Sequence, residues 1–182
     1  MKERKFRNDW QTVVSLDEAT GREKRTPVYR GAWYTLGEAE KRSALVFCAG
    51  CVAAFWAALI GWFLLDPPGT RVLYVFLPAA LSLFPAAYAL MGLAALVRLP
   101  GRMTRLQREK SLGRLLHSGA GAAVLTALAG AGDLVYIFVS GFSAREGAGL
   151  ALLLLCAAAA GLAARRSLRV QNGLAEQAPA EP

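Results

Sequence analysis

Asp133 is the one ionised side chain within four otherwise apolar runs of the chain, residues 44–65, 72–97, 119–142 and 147–164. A carboxylate near the middle of a helix that meets lipid costs at least about 2.5 kcal/mol. Asp133 must therefore face other helices, protonated or hydrogen-bonded. Counted back from Phe142 it lies nine residues, or about 14 Å, from the end of its run. No Lys or Arg stands at matching depth, so Ser82, Thr126 and Tyr88 are the expected hydrogen-bond partners. Two chemistries follow from this: a proton or cation site formed by Asp133 with Ser82, or a polar clasp between helices.

Sulfur and imidazole chemistry has less to stand on. Cys48-Ala49-Gly50-Cys51 has the spacing of a redox or metal pair, and membrane thiol oxidoreductases with four spans offer a comparison. The position argues against it. The pair falls in the half of its run nearer the basic N-terminal segment, no second pair exists to relay electrons, and apolar surroundings disfavour the reactive thiolate. Cys156 and the single histidine, His117, lie towards the same side, but a soft-metal site is not indicated. Phosphate-loop, HExxH and GxSxG patterns are absent. Neither an enzyme nor a bound cofactor or metal is expected.

Four apolar runs must position these residues. The chain has 182 residues, of which 55% are hydrophobic, above the 45 to 50% usual for a soluble domain. The first run is long enough for a hydrocarbon core about 30 Å thick, and the fourth is near the lower limit. None has the polar face of a soluble amphipathic helix. The fold class expected is an all-α integral membrane protein, a four-transmembrane-helix bundle with a small cytoplasmic N-terminal β-hairpin.

Charge sets the orientation. Ten Lys and Arg precede the first run, six lie between runs two and three, and three follow run four, against Arg71 and Arg145 alone in the other two connections. By the positive-inside rule both termini and the middle loop are cytoplasmic and the protein is multi-pass in the cell membrane. The net charge of +8 serves topology and anionic lipid first, and nucleic acid is not an expected partner.

Residues 1–43 form a cytoplasmic arm in which residues 12–16 and 26–29 flank a turn closed by Gly21, with Ala32-Trp33-Tyr34 as a further extended piece. Thr35-Leu36-Gly37-Glu38 fits a capping box that would start helix one near Leu36. Pro78 and Pro85 should kink the second helix. Within the basic loop 98–118, residues 102–116 resemble an amphipathic surface helix, with Arg102, Arg105, Arg108, Lys110 and Arg114 as candidate contacts to anionic lipid or a partner. The tail 165–182 reads as disordered. Function is expected to be that of an accessory or interaction subunit of a membrane complex, with a protein partner or a homo-oligomer. A small transporter or channel-forming subunit using Asp133 is the alternative.

Overall fold

The computed structural model describes residues 9–16 and 23–177. Four helical stretches run up and down in turn. The first is α1 (Glu38–Leu65) and the second is α2 (Leu73–Leu81) with α3 (Leu83–Val97). The third joins α4 (Arg105–Arg108), a π turn (Glu109–Gly113) and α5 (Arg114–Ser140), and the fourth is α6 (Ala144–Asn172). All four are long and apolar enough to cross a membrane. Their outer surface is as apolar as their interior: Leu64, Phe84, Phe138 and Val139 are each at least 74% exposed. A water-soluble bundle would carry polar side chains there.

Small residues bring the helices together. A Cβ on Gly119 of α5 would stand 2.9 Å from the Ala160 carbonyl oxygen and 3.2 Å from the Ala164 Cβ of α6. A Cβ on Gly132 would stand 3.1 Å from the Tyr74 carbonyl oxygen of α2. Close backbone approach at small residues is the packing by which membrane-spanning helices associate. The kink expected from the two prolines falls at Ser82, between α2 and α3. Pro85 cannot donate to the Leu81 carbonyl, and the Ser82 hydroxyl donates to the Ala79 carbonyl at 2.6 Å.

The end of the bundle that carries the polar segments, here called the basic end, contains β-structure. Strands β1 (Trp10–Leu16) and β2 (Glu23–Tyr29) pair antiparallel from Trp10 opposite Tyr29 to Leu16 opposite Glu23. The expected hairpin is therefore present, and its Asp17–Gly21 turn lies outside the described residues. Strand β3 (Trp33–Thr35) does not extend that hairpin. It forms the centre of a second sheet, between β4 (Arg102–Thr104) and β5 (Ala175–Gln177). Tyr34 faces Met103 across the β3–β4 ladder. Both are buried among Leu36, Leu99, Leu112 and Val170, so the sheet closes the base of the bundle.

Three expectations about this end are corrected. The Thr35–Glu38 box does not form, because Thr35 is in a strand and α1 starts at Glu38 after Gly37 without a side-chain cap. A capping box forms instead at Thr104 and Gln107. Residues 102–116 are not a separate surface helix: they are β4 and the root of the third span, and Met103, Leu112 and Leu115 are buried there. The tail is not disordered from residue 165. Ala163, Ser167 and Val170 prolong the buried stripe of α6 to Asn172, and β5 follows. Residues 178–182 lie outside the described residues.

Candidate functional site

At the opposite, far end, α5 and α6 bring two carboxylates together. Asp133 is 0% exposed and Glu146 1%. Glu146 is the third residue of α6, after the N-cap Ser143, whose hydroxyl accepts from the Glu146 N–H at 3.2 Å. In a full capping box the glutamate would fold back on the cap residue. Here it turns inward instead and accepts the Gly69 N–H at 2.7 Å. Gly69 belongs to a short 3-10 turn (Pro68–Arg71) that folds over both carboxylates. A Cβ on Gly69 would collide with Asp133 Oδ1 and lie 3.4 Å from Glu146 Oε2, so a residue without a side chain is required there.

The turn is well held. Asp66 takes a left-handed conformation (φ 45°) to end α1, and the Thr70 hydroxyl reaches both the Asp66 carboxylate and the Pro67 carbonyl at 2.7 Å. Pro67 packs on Gly149, one helical turn after Glu146, where a Cβ would be 2.9 Å from Pro67 Cγ. The connection read as little more than a turn is a plug over the far end.

Three of the four carboxylate oxygens, Asp133 Oδ1 and Oδ2 and Glu146 Oε2, are buried with no donor, as is the buried Trp62 Nε1 with no acceptor. Trp62 Nε1 lies 3.5 Å from where a Gly149 Cβ would be. The partners expected for Asp133 are engaged elsewhere. Ser82 bonds Ala79, Thr126 donates to the Ala122 carbonyl at 2.8 Å, and the Tyr88 ring lies 4.6 Å under the Arg114 guanidinium. Asp133 lies beside Gly132, which packs on Tyr74 and Val75. Ser82 is seven residues further along that helix, about 10 Å away along its axis. The two proposed ligands are not brought together.

Glu146 was missed because it precedes the fourth apolar run. Two signals could have found it: the Ser143-Ala144-Arg145-Glu146 capping pattern, and its place on the stripe Glu146, Gly149, Leu153, Cys156, Ala160, all buried in α6.

The sulfur and imidazole groups do not converge. Cys48 Sγ meets Ser167 Oγ at 3.9 Å, the Cys156 thiol donates to the Phe55 carbonyl at 3.6 Å, and His117 Nδ1 lies 2.6 Å from the Gly113 carbonyl oxygen within its own helix. Cys51 borders an apolar void of about 20 Å³ between Phe55, Ala86, Leu115 and Ala160.

At the basic end the cationic residues divide. Arg108 stacks 4.6 Å over the Tyr34 ring. Arg98, Lys110 and Arg114 border a groove of about 420 Å³ floored by Met91, Ala94 and Ala95. Arg102 and Arg105 sit on β4 and the start of α4, beside the hairpin. Tyr29 joins the hairpin to this base. Its ring lies between Trp10 and Trp33 at 5.3 and 5.1 Å, edge to face in both pairs. Its hydroxyl donates to the Ala32 carbonyl at 3.0 Å and accepts the Arg105 N–H at 3.2 Å.

Among the described side chains of the hairpin, Val13 and Val14, which point to opposite faces, and Trp10 and Val28 are each at least 40% exposed. No protein-family model, no curated protein and no solved structure matches the chain.

Proposed function

We propose that this chain is a multi-pass protein of the cell membrane, with both termini cytoplasmic, that acts as a non-enzymatic accessory subunit by docking a protein partner on its β1–β2 hairpin. One observation carries the reading. The hairpin exposes apolar side chains on both faces, yet Tyr29 ties it to a base built from all three polar segments of the chain. Two strands alone are marginally stable in water. A hairpin held in place with apolar side chains exposed on both faces is suited to burial against another protein.

The charge distribution supports the orientation. Arg98, Lys110 and Arg114, set above the apolar floor of their groove, suit the headgroup and chain of an anionic phospholipid.

The test is purification from native membranes in mild detergent, comparing the full chain with one lacking residues 9–31. The deletion stops at Gly31 because Tyr34 and Leu36 belong to the base of the bundle. A stoichiometric protein partner should accompany the full chain and be lost with the hairpin. Anionic phospholipid should remain in both preparations and fall when Arg98 and Lys110 are changed to Gln. An identical set of proteins with and without the hairpin would defeat the docking reading.

The transporter alternative draws its support from the buried carboxylates. An interior void of about 20 Å³ has room for about one water. Ion flux that is unchanged in Asp133→Asn would remove that alternative.

A further inference from the structure

We infer that Asp133 and Glu146 form a proton-binding site that latches the Pro68–Arg71 turn onto the far end of the bundle, the two carboxyl groups sharing a single proton. The inference does not depend on the docking reading. It uses the membrane topology only to say that the site lies towards the outer face.

Two ionised carboxylates accept hydrogen bonds and donate none, so neither can satisfy the other. Side by side in a dry site they also repel, and leaving a buried charge uncompensated is costly. Asp133 Oδ1 and Oδ2 and Glu146 Oε2 have no donor from the protein, and Asp133 Oδ1 and Glu146 Oε2 lie beneath the same residue, a Cβ on Gly69 meeting the first and standing 3.4 Å from the second. One proton between them supplies the missing donor and removes one of the two charges. The remaining charge is stabilised by the Gly69 N–H on Glu146 Oε1.

The charged and titratable groups of the surrounding elements do not replace that proton. At the end of α1 the Asp66 carboxylate accepts a hydrogen bond from the Thr70 hydroxyl. Arg71 on the turn and Arg145 on α6 are exposed. Tyr74 on α2 is half exposed and Tyr136 on α5 is partly buried, and neither donates to the orphaned carboxylate oxygens. A metal ion is a poorer occupant. It would need several more oxygen ligands, and the described residues contain no group of three His, Cys, Asp or Glu that could hold one. Loss of the proton leaves two charges beneath Gly69 and lifts the turn.

The test uses the full chain in phospholipid nanodiscs, by infrared titration together with thermal unfolding and hydrogen exchange. At neutral pH the wild type should show the C=O stretch of one buried carboxylic acid, and this band should vanish on alkalinisation as exchange at the Gly69 amide rises. Asp133→Asn and Glu146→Gln each put an amide donor where the proton was, so both should lack the band and keep the turn closed. For the wild type, each pH unit between the ordinary carboxyl range of the unfolded chain, about 4, and the pH at which the band vanishes should lower the folding equilibrium constant about tenfold, because unfolding then releases one proton, and the slope should flatten above that pH. For the variants it should not change.

Three results would overturn the inference: no carboxylic acid band in the wild type, a band retained in both variants, or wild-type stability at neutral pH that rises with added sodium or calcium. If both variants fail to fold, the wild-type band and its indifference to cations decide the matter alone.

Discussion

Valine in place of Gly69 is expected to unseat the turn over the far end and to lower the thermal unfolding temperature by about 10 °C. The Cβ alone would collide with Asp133 Oδ1 and crowd Glu146 Oε2. Overpacking of this kind costs about 1 to 3 kcal/mol. Moving the turn away also takes the Gly69 N–H from Glu146, which leaves a fully buried acceptor unmet at a further cost of about 1 to 3 kcal/mol. Together these come to about 3 kcal/mol, or about 10 °C for a chain of this length. Gly37→Ala is the control. That residue is extended, with φ −61° and ψ 140°, and has nothing within 4 Å of a Cβ, so the change should be nearly silent. Differential scanning fluorimetry of the two variants in one detergent checks both. Equal transitions for Gly69→Val and wild type would mean that the turn does not sit on the carboxylates.

Tyr29→Ala should release the hairpin and abolish partner capture while leaving the bundle intact. The ring is the middle of a stack with Trp10 and Trp33, and each edge-to-face pair contributes about 0.5 to 1.5 kcal/mol beyond its buried area. The hydroxyl adds two hydrogen bonds, one of them to the Arg105 N–H at the root of the third span. Losing about 2 to 4 kcal/mol of attachment is enough to raise the population of the detached hairpin by 30-fold or more. Cleavage within residues 9–31 by a trace protease should speed up accordingly, with an unchanged unfolding transition for the helices. Tyr29→Phe keeps the stack and should fall between. A hairpin equally resistant in all three proteins would place its anchor elsewhere.

The far end and the basic end were legible to different depths. Long apolar runs mark the four helices directly, because a helix apolar on all sides has few other uses. Pro78 and Pro85 mark the break in the second. The hairpin was legible from two β-prone pieces about a turn apart. The second sheet was not: Trp33–Thr35, Arg102–Thr104 and Ala175–Gln177 are each three residues long and come from distant parts of the chain. Nothing local distinguishes such pieces from loops. The same sheet explains why Thr35 ends a strand although Thr35-Leu36-Gly37-Glu38 fits a capping box, and why the tail is ordered as far as Gln177 although its composition is polar.

At the carboxylate site Asp133 stood out because its neighbours are apolar. Glu146 did not, because a charged residue beside a turn is ordinary until the helix stripe beginning at it is traced. Counting from the end of an apolar run also says nothing of what the turn after α1 covers. The helix stops at Ser140, seven residues beyond Asp133, and the turn after α1 folds over its carboxylate, which places the residue under a covered end of the bundle.

The account stands on a membrane bundle whose basic, hairpin-bearing end faces the cytoplasm, and thiol labelling tests that most directly. With Cys48, Cys51 and Cys156 replaced by Ala, a single cysteine is introduced either at Val13 in the hairpin or at Arg145 in the far turn. Intact cells are then treated with a maleimide that does not cross membranes. Labelling of Arg145→Cys in intact cells, with Val13→Cys labelled only after the membrane is opened, is the result the account predicts. The reverse pattern, or labelling of both sites in intact cells, would contradict it.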